Sequence, residues 1–196
     1  LTTEQQKRHQ EELERKVFES TRELRQTNLF LRLQVEERKK AEQKLFFEAN
    51  HDGLTGLANR QMFLQQLKQQ FALSRRQPQL KIALLFIDLD RFKLINDTLG
   101  HHIGDAFLME TSKRLLGTVR EHDLVARLGG DEFVILLNNL QDDMDAEEVA
   151  ERIIDRVRQP FYLQGQQVYS GASIGIAVLQ PTYSKAEALL RDADAA

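Results

Sequence analysis

Two pairs of acids, Asp88-Leu89-Asp90 and Asp131-Glu132, are the residues of this chain best suited to chemistry. The second pair follows Gly129-Gly130 and sits between the apolar runs 124–128 and 133–137. A Gly-Gly pair between such runs reads as a two-residue hairpin turn, because the favoured tight turns take positive φ most cheaply at glycine. That reading leaves Asp131 and Glu132 at an exposed tip, where bare glycine backbone admits a bulky, charged ligand. The first pair closes Lys81–Ile87, a short continuous apolar run of the kind expected for a buried central strand. Carboxylates at the C-terminal end of such a strand fall where open α/β sheets place their ligand crevices. Residues 91–97 read as the opening of a helix, whose free N–H groups favour a phosphate, and Lys93 adds a full charge. Together the acids could chelate Mg²⁺, or Mn²⁺ in its place, as hard cations that take oxygen ligands and substrate phosphates. The combined pattern points to nucleotidyl transfer, although Gly-Gly-Asp alone describes an ordinary solvated turn.

The elements that must position these acids alternate beyond Asn50. A turn-rich entry at 52–58 precedes an amphipathic helix near 60–75 and the central strand near 80–87. Helices near 92–99 and 104–118 lead to the Gly-Gly hairpin. A helix near 146–158 stops at Pro160, then 161–163 and 168–179 read as strands around a Gly165 turn, and 184–196 opens a last helix. Such a mixture with an antiparallel hairpin predicts an α+β sheet containing βαβ units. Phe71, Phe86, Phe107 and Phe133 sit inside apolar patterns and read as core.

Residues 1–48 form a separate region, nearly free of glycine and proline and rich in Glu, Gln, Arg and Lys. Leu13, Val17, Leu24, Leu31, Ala41 and Leu45 fall near heptad spacing, which predicts a coiled-coil stalk, with Ser20, Thr27, Gln34 and Arg38 weakening the seam. A single solvated helix is the plainer alternative. A continuous helix of ~45 residues extends ~65 Å, long enough to carry a signal between domains.

Composition sets the class. The 196 residues, 41% hydrophobic and 29% charged, suffice for one core plus a long polar segment. With no cysteine, any metal must use oxygen or histidine ligands, which suits the cytoplasm. A net charge of −3 gives no drive toward nucleic acid, and no apolar run approaches the ~20 residues that span a bilayer.

The ordered motifs His51-Asp52-Gly53-Leu54-Thr55-Gly56-Leu57-Ala58-Asn59-Arg60, Phe86-Ile87-Asp88-Leu89-Asp90-Arg91-Phe92-Lys93, Asn96-Asp97-Thr98-Leu99-Gly100-His101, Gly104-Asp105, Arg127-Leu128-Gly129-Gly130-Asp131-Glu132-Phe133 and Ala172-Ser173-Ile174-Gly175-Ile176-Ala177 carry a resemblance. Over residues 49–196 the chain resembles the GGDEF-domain diguanylate cyclases. The resemblance implies a palm-like nucleotide cyclase fold, with a mainly antiparallel central sheet flanked by helices and preceded by the long coiled-coil helix. It implies condensation of two GTP into cyclic di-GMP, each 3′-hydroxyl attacking the other α-phosphate. Asp88 and Asp131 become the expected metal ligands, with the carbonyl of Leu89 a third. Glu132 completes the metal shell or assists deprotonation, two roles the sequence leaves open. Lys93 and the backbone near Phe92 would hold phosphates beside Gly129 and Gly130, while Asn96 and Asp105 occupy the family positions that select guanine. Arg120 and Asp123 match the family's inhibitory product site, although a lone Arg-x-x-Asp describes a surface ion pair.

Further expectations follow. Asp52 and Arg60 are read as a cap and an ion pair fixing the entry turn, His101 as structural and His102 as exposed. Two active sites must face each other, so a homodimer through the stalk is expected. The chain opens at Leu1 without methionine and its last helix stops at Ala196, short of the family's phosphate-touching lysine and arginine. It is therefore expected to be the cytoplasmic part of a longer protein, with an upstream sensor, a membrane anchor and a downstream phosphodiesterase domain as candidate neighbours. The alternative reading is a regulatory module that binds GTP or cyclic di-GMP without turnover. A bare coiled-coil scaffold leaves the acids unexplained.

Overall fold

The computed structural model describes residues 3–77 and 79–196, so the first two residues of the expected stalk lie outside the described residues. The chain divides into two compact units, one ending at Ala49 and the other running Asn50–Ala196.

The first unit is one helix, α1 (Thr3–Asn50), 48 residues long. Straight-chain Glu, Gln, Lys and Arg lose little rotamer freedom in a helix. Five i,i+4 ion pairs, such as Lys16–Glu12 at 2.8 Å and Arg38–Glu42 at 2.7 Å, line its surface. The seam residues Leu13, Val17, Leu24, Leu31 and Leu45 are all exposed on this helix, which is consistent with a coiled coil. Phe30 and Val35, also exposed, flank that seam and widen it next to the polar Gln34 and Arg38.

The second unit is built on a four-stranded sheet ordered β2-β3-β1-β6. Its strands are β1 (Lys81–Leu89), β2 (Leu124–Gly129), β3 (Glu132–Leu140) and β6 (Ala172–Val178). Helices α2 (Arg60–Arg76), α3 (Phe92–Leu99), α4 (His101–Leu116), α5 (Met144–Arg158) and α6 (Ala186–Ala195) flank it, and β4 (Phe161–Leu163) with β5 (Gln166–Val168) forms a separate hairpin. Each of the three pairings in the main sheet is antiparallel. The expected βαβ units are therefore split: β1 and β2 run parallel with β3 between them, and β3 and β6 with β1 between them. The apolar run of β1 is central because both faces are covered. Ala83, Leu85 and Ile87 enter one core cluster with Phe107 and Phe133, whereas Ile82 and Leu84 enter the other with Phe63 and Phe71. Phe86 is half-buried and packs against the second cluster.

The stretch 168–179 is not one strand. Residues 169–171 break it, Val168 staying in the small hairpin while Ala172–Val178 joins the main sheet. Helix α4 starts at His101, earlier than the periodicity suggests, because Gly100 at φ 87° both ends α3 and turns the chain into α4. Asp105 consequently lies in the second turn of α4, and His101 is exposed instead of structural. The small hairpin is held through Arg114, whose guanidinium lies 3.6 Å over the Phe161 ring and donates to the carbonyls of Arg156, Gln159 and Pro160.

Candidate functional site

The acids gather at one end of β1. Asp88 stands opposite Glu132 of β3 in the antiparallel register, so the two side chains share a face and a level. The turn differs from the expected one by a residue. Gly129 pairs with Glu132, which leaves Gly130-Asp131 as the two-residue loop and makes Glu132 the first residue of β3. A register shift between Arg127 and Gly129 supplies the offset, and Gly129 and Gly130 take φ of 145° and 53°. Both values lie where side chains are strained, so the two glycines are needed here. Asp131 alone is at the tip, and Glu132 is carried to Asp88 by the sheet.

Electrostatics agree with this crowding. The Asp88 carboxyl is raised above the ordinary value, first by burial and then by the like charges of Asp131, Asp90 and Asp194. Asp194, on α6, is an acid of this neighbourhood that the sequence reading gave no role. Among the described residues no three His, Asp or Glu side chains converge as a metal-holding cluster. Asp88 and Asp131 are hard carboxylates close enough for the charge of one to raise the other. That pair fits Mg²⁺, which is commonly bound by one or two carboxylates and completed by substrate phosphates and water.

Arg127 holds the turn from beneath. Its Nε and Nη2 donate to the Gly130 carbonyl at 3.0 and 2.8 Å, and its Nη1 donates to both Asp52 carboxylate oxygens at 2.9 and 3.1 Å. Asp52 therefore pairs with Arg127 and not with Arg60, because the β2 backbone passes the entry loop: Arg127 N donates to Ala58 O at 2.9 Å. The capping role of Asp52 holds, since its Oδ1 accepts from Thr55 N and Oγ1 at 2.9 and 2.6 Å. Burial alone would raise the Asp52 carboxyl; the Thr55 and Arg127 donors outweigh it, and the net shift is downward. Arg127 belonged to a quoted motif without a role, and only the turn geometry reveals one.

Past Asp88, Asp90-Arg91 forms a turn with Arg91 at φ 60°, and α3 begins at Phe92. Lys93 is exposed in the first turn of that helix, and the Phe92 ring stacks at 6.2 Å from Phe107. Asn96, half-buried on α3, presses its side-chain amide against Gly104, where a Cβ would collide with it. The glycine thus brings Asn96 up to the helix that carries the exposed Asp105. Arg120 and Asp123 lie in the loop before β2. Asp123, its side chain 4% exposed, accepts from Arg120 N at 2.9 Å and Asn138 N at 3.0 Å, whereas Arg120 is exposed. Asp123 shapes the loop, and Arg120 is its outward-facing member.

The family model for the diguanylate cyclase GGDEF domain matches residues 49–196. The diguanylate cyclase TpbB of Pseudomonas aeruginosa is 44% identical over 153 residues, 78% of this chain and 35% of that protein. A solved structure comprising only the GGDEF domain of TpbB superposes with a TM-score of 0.71 at 44% identity, over 74% of this chain and 84% of that one. The bifunctional diguanylate cyclase/cyclic di-GMP phosphodiesterase MucR of the same organism is 40% identical over 157 residues, 80% of this chain and 23% of that protein. The coiled coil and GGDEF domain of DgcB from Caulobacter crescentus, solved in complex with cyclic di-GMP, reaches a TM-score of 0.76 at 26% identity, covering 83% of this chain and 86% of that one. The chain thus spans about a quarter to a third of the length of these curated relatives. Cyclases of this family are generally dependent on a divalent metal. An antiparallel sheet that brings Asp88 and Glu132 opposite each other beside the Gly130-Asp131 turn, with a family model matching residues 49–196, establishes that this chain belongs to the GGDEF diguanylate cyclase domain family.

Proposed function

We propose that residues 49–196 form a diguanylate cyclase domain which condenses two GTP into cyclic di-GMP and two pyrophosphates, and that residues 1–48 form its dimerising stalk. The observation that carries this reading is the register pair Asp88–Glu132 with Asp131 in the adjoining two-residue loop, at the end of β1 that leads into α3. Asp88, Asp131 and the Leu89 carbonyl would hold Mg²⁺ or Mn²⁺, which supplies charge neutralisation at the α-phosphate and a lowered pKa for the attacking hydroxyl. The chain's own residues do the rest. The start of α3, with Phe92 backbone and Lys93, binds the terminal phosphates. Gly129 and Gly130 leave the turn bare, so the α-phosphate can approach Asp131 and Glu132. Glu132, opposite Asp88 in the register, would complete the metal shell or accept the 3′-hydroxyl proton. Asn96 and Asp105 offer an amide and a carboxylate to the guanine edge, whose N1–H and N2–H groups donate beside the O6 acceptor.

Each domain holds one GTP and the product joins two, so two copies must meet face to face. The exposed seam of α1 supports a homodimer that raises the local concentration of one site at the other. Product inhibition would act through Arg120, whose exposed guanidinium can donate a bidentate pair to guanine O6 and N7. The cyclic di-GMP bound to DgcB and the phosphodiesterase half of MucR are in keeping with this chemistry, and a sensor upstream or a phosphodiesterase downstream would fit the long relatives. Among the described residues no helix is long and apolar enough to cross a membrane. The test is incubation of the purified chain with GTP and Mg²⁺, followed by chromatography and mass spectrometry. Cyclic di-GMP and pyrophosphate in a one-to-two ratio are expected; GTP that binds and is recovered unchanged would favour a regulatory module.

A further inference from the structure

Asp88 and Asp90 are two apart and read in sequence as one chelating pair, but the structure gives them different partners. Strand β1 ends at Leu89, and Asp90 enters the turn that leads to α3. Its carboxylate is engaged on the β6 side: Ser173 Oγ donates to Asp90 Oδ1 at 3.0 Å, and Oδ2 lies against Gly171, where a Cβ would collide with it. Ser173 stands opposite Asp88 in the β1–β6 register, so the Ser173–Asp90 bond is the diagonal of that ladder. The backbone of Asp90 is held from the same segment. Its N–H donates to Gly171 O at 3.0 Å, and its carbonyl accepts from Ser170 Oγ at 2.8 Å. Four interactions from residues 170–173 thus converge on one residue, directly before Arg91 at φ 60°. A non-glycine residue in that left-handed region is strained and persists only where its neighbours hold it. Helix α3 has no side-chain cap at Arg91, so this clamp is what sets where its first turn begins.

We propose that Asp90 is a positioning residue, not a metal ligand: locked to Ser170, Gly171 and Ser173, it fixes the β1–α3 turn so that the first turn of α3 meets the triphosphate in register, while Leu89 is held by its own pairing with β6. The inference rests on the cyclase reading above. It separates two neighbouring acids by role. The charge of Asp88 is needed by the cation, whereas Asp90 needs only an oxygen that accepts from a serine hydroxyl, which an asparagine can supply.

The test uses the whole chain, with steady-state kinetics on GTP, titration of Mn²⁺ binding in the absence of nucleotide, and thermal unfolding. Asp90→Ala should raise KM for GTP about tenfold, as loss of a charge-assisted bond and of turn geometry implies, with Mn²⁺ affinity and the melting temperature little changed. Asp90→Asn should restore most of that loss. Ser173→Ala, which removes the donor and leaves the carboxylate, should raise KM in the same direction by about two- to fivefold, and remains informative if Asp90→Ala fails to fold. Asp90→Asn that loses turnover and Mn²⁺ binding as fully as Asp88→Asn would overturn the assignment, since charge would then be the requirement. Ser173→Ala with wild-type kinetics would also overturn it. Full turnover in Asp88→Asn would instead sink the cyclase reading itself, a separable outcome.

Discussion

Arg127 shows how one side chain can govern a site it does not enter. Its side chain, 11% exposed, donates to the entry loop through Nη1 and to the turn through Nε and Nη2, joining Asp52 to the Gly130 carbonyl. Hydrogen bonds of a charged group typically contribute about 1.5–3 kcal/mol, so Arg127→Ala should lower unfolding stability by roughly that amount in a denaturant titration. Turnover should fall further than stability alone explains, about tenfold or more, because Asp131 sits next to the released carbonyl. The pH dependence has a definite sign. The native Asp52 carboxyl lies below its ordinary value, so its contribution is complete above about pH 4 and disappears as pH falls through the lowered native value. Arg127→Ala should therefore flatten the acid limb of the stability profile, and a limb unchanged from wild type would count against the pair.

At the scale of elements, the hairpin and the loop before it do different work. The offset of the Gly-Gly turn by one residue was not legible, because Gly129-Gly130 and Gly130-Asp131 satisfy the same turn chemistry and only the bulge before Gly129 decides. Elements with strong periodicity, such as α2, α3 and β1, lie within about two residues of where the pattern puts them. The split of 168–179 was hidden because Val168 and the residues after Gly171 are equally β-prone, and the break depends on the contact between Gly171 and Asp90. Ion-pair partners were least readable: Asp52 faces Arg127, 75 positions away, because β2 runs beside the entry loop. The loop 120–123 yields a prediction of its own. Asp123 is committed to backbone N–H groups of Arg120 and Asn138, so Asp123→Ala should loosen the loop and lower stability by about 1–2 kcal/mol. Arg120→Ala should keep cyclase turnover and lose inhibition by added cyclic di-GMP. Initial rates over a product titration check this, and equal inhibition of both proteins would assign the motif to loop structure alone.

At the scale of the whole molecule, the proposed one-GTP domain follows a helix whose apolar seam is exposed along its length. An α1 of 48 residues extends about 72 Å, and in the proposed homodimer its exposed leucine and valine stripe gains from pairing the packing that a lone helix in water lacks. Polar residues at Ser20, Thr27, Gln34 and Arg38 keep the pairing weak, so assembly should be concentration-dependent. The rate per subunit should rise with protein concentration through the range where sedimentation shows monomer becoming dimer. Removing residues 1–48 should shift that range to higher concentration by about 10²-fold or more, leaving the acids in place. A flat rate per subunit across the transition would mean that one copy suffices.

The proposed chemistry stands or falls with Asp88, Asp131 and Glu132, which would turn two GTP into cyclic di-GMP. The direct measurement is the initial rate of cyclic di-GMP formation from GTP and Mg²⁺ at saturating protein, compared between the wild-type chain and Glu132→Gln. Glutamine keeps the strand and the size of the side chain while removing the charge and the proton acceptor. Product from the wild type and a loss of about 10²–10⁴-fold in Glu132→Gln, at an unchanged melting temperature, is the predicted result. A folded wild-type chain that makes no cyclic di-GMP, or a Glu132→Gln protein that makes it at the wild-type rate, would rule out this chemistry.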